Sequence, residues 1–176
     1  DEVNNTEELS VTIAASIISR LVDLSMPVGL AANGDSSYIF RPDTSPEHQG
    51  RLLEALAEVQ ATGTTSLERF LYDLRGQMSR FNTLTVITPS TRTEWIPALN
   101  SIRRQGVNVA VVLIDPRDFG GTTNPEFLVD ILFANDIATY TVKKDQVLNE
   151  ALSFPVDHPE NYLGQMPQTS AQETTA

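Results

Sequence analysis

The chain has no cysteine among its 176 residues. That excludes disulfides and thiolate chemistry, and it fits a reducing compartment. Histidine is scarce too: His48 and His158 are the whole complement, and neither sits at a metal-ligand spacing. No Gly-x-Ser-x-Gly elbow occurs, so a hydrolase triad has no support. No Gly-x-Gly-x-x-Gly or P-loop pattern occurs, so nucleotide binding has no local support either. No window approaches the roughly eighteen apolar residues of a membrane span. Asp1 to Asn5 lacks the basic start and apolar core of a signal peptide. Without such a signal, the sequon at Asn4-Asn5-Thr6 reads as chance.

Basic charge is short as well. Twelve Lys and Arg face 23 Asp and Glu, for a net charge of −11. The only basic pairs are Arg103-Arg104 and Lys143-Lys144. So acidic a surface repels phosphate backbones and anionic membranes, so nucleic acid is not an expected partner and this segment is not expected to touch a membrane. Apolar residues make up 40% and charged residues 20%, a globular balance in a chain of one-domain size.

The organising stretch is Thr83-Leu-Thr-Val-Ile-Thr-Pro-Ser90, a short strand that stops at Pro89. A helix follows with Trp95, Ile96, Leu99 and Ile102 on one side. Then, after Gly106, comes the longest apolar run, Val107 to Ile114. Strand, helix, strand of this kind is a parallel crossover unit. The nearly continuous apolar run marks a strand covered on both faces.

The flanking chain supplies the rest. Asn5 and Glu8 open a long helix to about Leu24, apolar over much of its circumference. Pro27 to Ala32 reads as a buried strand, Asn33-Gly34-Asp35 as a tight turn, and Ser37 to Phe40 as the returning arm of a hairpin. Arg41 to Ser45 reads as a loop. Ser45-Pro46 starts a helix striped by Leu52, Leu53, Leu56 and Val59. Gly63-Thr64-Thr65 breaks it, and Thr65 with Glu68 forms a capping box for a helix bearing Leu67, Phe70, Leu71 and Leu74. Thr91 with Glu94 reads as another box, although Pro97 must lie in that helix's first turn. After Asp115 to Asn124, a loop, come a short helix, a last strand at Ile137 to Val142 and a closing helix to Leu152. The expected domain is residues 1–152. Residues 153–176 read as a flexible polar tail, in which Tyr162 and Met166 read as solvated linker.

Taken in order, Thr6 to Ser16, Pro27 to Leu30, Leu53 to Ala57, Thr85 to Pro89 with Trp95, and Asp115 to Gly121 resemble the C-terminal half of a bacterial family, domain of unknown function 58. The resemblance spans Thr6 to Leu152. It implies an α/β, doubly wound, mainly parallel sheet of the von Willebrand factor A type. It also implies a cytoplasmic setting, a possible tether of the full-length protein to the cell membrane, and a MoxR-type AAA+ ATPase as partner. In that fold the first strand lies mid-sheet, between the strands matching Pro27–Ala32 and Leu84–Thr88. Asp1 to Asn5 is too short and polar to be that strand, so the expectation is a fragment whose natural start lies upstream. Either the flanking strands pair directly, or another chain fills the place, or the isolated fragment is weakly folded. The last is expected.

The resemblance also brings a metal-ion-dependent adhesion site into question. Its Asp-x-Ser-x-Ser cluster is absent. Thr64 or Thr65 matches the loop threonine in position, and Pro89-Ser90-Thr91 carries no carboxylate. No metal and no cofactor is expected, and Thr65 is expected to be a helix cap. The pole at the strand C-termini would present Asn33, Asp35, Ser90, Asp115 and Arg117. The expected function is a non-enzymatic interaction module. The rival is a small α/β enzyme or ligand-binding domain using Asp115, whose plain role is to cap the turn at Pro116.

Overall fold

A computed structural model describes residues 5–152. The tail, with Tyr162 and Met166, lies outside the described residues, as do the first four positions. Helix α1 spans Thr6–Asp23, and its cap forms as expected: Asn5 Oδ1 accepts from the Glu8 backbone N–H at 2.7 Å. Strands β1, Val28–Asn33, and β2, Ser37–Asp43, make an antiparallel hairpin. The second strand runs through Arg41 to Asp43, where a loop was expected. Pro42 is tolerated because the ladder is irregular between the Val28 and Leu30 pairings, so its missing N–H breaks no regular bond.

Helix α2 spans Pro46–Glu58 and α3 spans Leu67–Arg75. The cap of α3 is Ser66, whose hydroxyl accepts from the Arg69 N–H at 3.2 Å, not Thr65. Strand β3 is Thr83–Thr88, α4 is Ile96–Arg103 and β4 is Asn108–Ile114. The Thr91–Glu94 box does not form. Pro97 in the first turn sets the start of α4, and Glu94 pairs instead with Arg92 at 2.9 Å. A 3₁₀ turn at Pro116–Phe119 leads to α5, Glu126–Ala134, then β5, Ala138–Val142, and the short α6, Leu148–Ala151.

Strands β3, β4 and β5 form a parallel sheet in that order. Its central strand is the apolar run, and Val111 to Ile114 are at most 1% exposed. Alternation sends Val111 and Leu113 to one face, with Trp95, Leu99, Leu71 and Leu132 from α3, α4 and α5. Val112 and Ile114 face the other side, with Leu9 and Ile13 of α1 and Ala151 of α6. The chain is thus α/β, with a parallel sheet flanked by helices and compatible with a Rossmann-like arrangement.

The hairpin is a separate two-stranded sheet. Direct pairing of β1 with β3 therefore does not occur. Strand β1 is also less buried than its composition suggests: Val28 is buried, but Gly29 to Asn33 are half-buried. The far half of α1 and α2 cover it through Ile18, Leu52 and Leu56.

Candidate functional site

The C-terminal ends of β3 and β4 carry Ser90, Asp115 and Arg117 of the residues expected at the pole. Asp115 follows β4 directly and is 1% exposed. Its backbone N–H donates to the Val142 carbonyl at 2.9 Å, which extends the ladder by one residue. Its carboxylate is fully engaged by one partner. Arg117 Nε donates to Oδ1 and Oδ2 at 3.0 and 3.2 Å, and Nη2 to Oδ2 at 2.7 Å. The Arg117 backbone N–H adds a bond to Oδ1 at 3.0 Å, the turn-capping role expected of this aspartate. The guanidinium holds the carboxyl below the usual aspartate range, against the opposing effect of burial. Asp115 is therefore a fixed anion with its lone pairs in use. It is poorly suited to proton transfer at neutral pH, and acting as a nucleophile or ligand would first require Arg117 to leave.

Ser90, Asn33 and Asp35 make no hydrogen bond or ion pair with Asp115 among the described residues. Ser90 uses its N–H on Thr88 Oγ1 at 3.1 Å and its hydroxyl on the Arg92 N–H at 3.4 Å, both inside its own turn. Asn33 and Asp35 belong to the hairpin. Asn33 Nδ2 donates to the Thr65 carbonyl at 2.8 Å, and the Asp35 N–H to the Gln60 carbonyl at 3.0 Å. Thr64 and Thr65 are exposed in this strap. A Cβ on Gly63 would overlap the Gly34 carbonyl oxygen, so glycine is what lets strap and turn approach. Among the described residues no hydrogen bond or ion pair links this hairpin group to Ser90 or Asp115. Nor do three or more His, Cys, Asp or Glu side chains gather there as a metal site.

A groove of about 1040 Å³ lies at the opposite end of the parallel sheet, along Arg103, Gly106, Asn108, Asn135 and Asp136. There Arg103 donates to the Asn135 carbonyl and pairs with Asp136 at 3.3 Å. Arg103 lies in the last turn of α4, and the sequence carried no sign of this link to the α5–β5 connection.

Two further features escaped the sequence reading. His48 is buried, and its Nε2 donates to the Val28 carbonyl at 2.9 Å, twenty residues away. A carbonyl only accepts, so the ring carries its proton on Nε2. Trp95 is 2% exposed, as expected of a core residue, yet its indole N–H has no partner among the described residues. A buried donor left unpaired costs about 1–3 kcal/mol. That makes Trp95 an anomaly in an otherwise satisfied core.

The seam between the two sheets is the least finished part of the molecule. Strand β1 pairs only with β2, and β3 only with β4, so each keeps one open edge. Helix α1 packs against β1, β3 and β4, while α3 packs against β1 and α4. No backbone ladder joins the two sheets, and α1 contacts strands of both.

No family model, curated protein or solved structure matches the chain. Among the described residues no helix is long and apolar enough to cross a membrane.

Proposed function

We propose that this chain is a non-enzymatic protein-interaction module with a von Willebrand A-like sheet from which the first, central strand is missing. The seam between β1 and β3 carries this reading. The resemblance places a strand at that position of the sheet, and backbone pairing is interrupted there. The ion pairing of Asp115 supports it further, because this buried carboxylate at the pole is held by Arg117 and its own turn. The enzyme reading keeps only the location of Asp115, without converging groups around it.

The partner class is a MoxR-type AAA+ ATPase, acting with the module in assembly or maturation of envelope or metal-dependent complexes. The setting is cytoplasmic, with a membrane tether in the full-length protein. Affinity capture with full-length protein, read by mass spectrometry, tests this. Enrichment of such an ATPase supports the reading. Its consistent absence, with Asp115→Asn abolishing a small-molecule conversion, would replace it with the enzyme.

A further inference from the structure

We infer that the outer edge of β5 is a self-association surface: two copies of this chain join there, β5 against β5, in antiparallel register centred on Tyr140. The inference goes beyond the proposed function and does not rest on it.

Strand β5 ends the parallel sheet and pairs only with β4. The Val142 carbonyl accepts from the Asp115 N–H, just past the end of β4. Backbone groups of successive strand residues point to opposite edges. Val142, Tyr140 and Ala138 therefore face β4, and Thr141 and Thr139 face outward. Beyond these two threonines the outward groups are already taken. The Ile137 N–H donates to the Leu132 carbonyl, and the Ile137 carbonyl accepts from Thr139 Oγ1. The Lys143 N–H donates to Gln146 Oε1, and the Lys143 carbonyl accepts from the Gln146 N–H. Among the described residues, the N–H and C=O of Thr139 and Thr141 remain open.

These groups select the partner. A two-fold axis at Tyr140, perpendicular to the sheet, sets Thr139 of each copy opposite Thr141 of the other. Each such couple exchanges two backbone bonds, which satisfies every open group in both copies. Centring on Thr139 or Thr141 instead would set the other threonine against Ile137 or Lys143, whose groups are in use. The same register brings Asp136, two residues before β5, across from Lys144, two residues after it. The Asp136 side chain is fully exposed. Opposite charges at both ends thus offset part of the repulsion between two chains of net charge −11.

The surroundings agree. An exposed edge is normally blunted by charge, proline or a bulge. Strand β2 carries Arg41, Pro42 and Asp43 and a break in register. Strand β5 carries none of these, and its register with β4 is unbroken. Phe127 of α5 is 69% exposed. Leu128 and Leu132 of that helix lie in the core, and Phe133 lines the groove with Asn100 and Arg103 of α4. At about 3.6 residues per turn, Phe127 falls on the other flank, away from α4 and on the side of the open edge. The two-fold axis turns this apolar flank of each copy toward the other.

Sedimentation equilibrium of the whole chain tests the proposal. The mass should rise with concentration from 19.3 kDa toward twice that value, with a Kd on the order of 10 µM for so small an interface. Amide exchange should slow at Thr139 and Thr141 as the dimer forms. Thr141→Pro removes an outward N–H and no ladder bond, so it should weaken the dimer roughly tenfold or more and spare the monomer. Tyr140→Cys gives the chain its only thiol, at a site where the axis brings both Cα atoms to about 4.5 Å. Mild oxidation should then yield a covalent dimer. Two Ala138→Cys residues, more than about 13 Å apart in this register, should not cross-link.

A monomer at every concentration would overturn the proposal. So would a dimer that protects β1, β2 or β3 instead, that survives Thr141→Pro, or that cross-links equally through both cysteine variants. Protection of Thr139 and Thr141 in a monomer would overturn it too, because the edge would then be closed within the chain. If Thr141→Pro fails to fold, the exchange and cross-linking results decide.

Discussion

His48 ties the start of α2 to the start of β1: its Nε2 donates to the Val28 carbonyl at 2.9 Å, and its ring meets Phe40 of β2 edge-on. One buried side chain thus holds helix and hairpin in register. Arg51, one turn further along α2, lies 5.4 Å from the centre of the Phe40 ring and reinforces the same contact.

His48→Leu keeps much of the apolar contact and removes the donor, leaving a buried carbonyl unpaired. The expected cost is about 1–3 kcal/mol. Urea denaturation followed by far-ultraviolet circular dichroism measures it. His48→Gln, whose amide can donate to the same carbonyl, should recover part of the loss. A Leu variant as stable as the parent would show that the bond does not hold the hairpin.

Asp115 and Arg117 set the acid limit of the fold. The folded pKa of Asp115 lies below its unfolded value, chiefly through the Arg117 hydrogen bonds. The folded state therefore holds the proton more weakly than the unfolded chain. This contribution is fully present above the unfolded value, near pH 4, and is lost as pH falls through the folded one. Arg117→Ala leaves a buried carboxylate with only its backbone bond, and should lower stability at pH 7. Adding Asp115→Asn to that variant should restore stability at neutral pH and flatten the acid limb. Denaturant midpoints between pH 3 and 7 read both effects. A double variant no better than Arg117→Ala would mean that the arginine acts through packing and not through the carboxylate.

The strap after α2 depends on one close approach. Gly63→Ala pushes a methyl group into the Gly34 carbonyl and must displace the strap. A cost of roughly 1–3 kcal/mol is expected, as for overpacking elsewhere. The shift should appear as chemical-shift changes at Asn33 and Asp35, which bond to the Thr65 and Gln60 carbonyls. Thr64→Ala, at an exposed position, should leave both stability and those signals nearly unchanged. Equal effects from the two substitutions would refute the steric account.

The parallel sheet was legible because Val107 to Ile114 is apolar at nearly every position, a pattern that needs helices on both faces. The Asn5 cap of α1 was legible, whereas the caps read for α3 and α4 were displaced. Thr65 and Ser66 are adjacent hydroxyls, and sequence spacing favoured the wrong one. At α4 the Thr91–Glu94 pattern lost to Pro97, whose fixed φ and missing N–H favour the first turn. The pole was read correctly for Asp115 as a turn cap. Asn33 and Asp35 bond to the Thr65 and Gln60 carbonyls, links between turn and strap that no local pattern announced. The His48 bond had no local signal at all, because its acceptor is a backbone carbonyl twenty residues earlier.

The break in backbone pairing between the two sheets should divide the molecule into parts of unequal stability. Residues Val111 to Ile114 are paired on both sides and covered on both faces, so their amides open only with the whole domain. The hairpin is held by α1, α2 and α3 but by no backbone bond to the parallel sheet. Its amides should therefore exchange through a cheaper opening, about 2 kcal/mol or more below that of β4. Because the hairpin shares α1 with the parallel sheet, its release should also loosen Ile18 to Val22 while leaving Leu9 and Ile13 packed on Val112 and Ile114. Calorimetry should accordingly give a broad transition whose van't Hoff enthalpy falls below the calorimetric one. Native-state amide exchange should rank β4 slowest, then β3, then β1 and β2. A single sharp two-state transition, with the hairpin as protected as β4, would mean that the helices alone couple the sheets and that the seam is not a weak line.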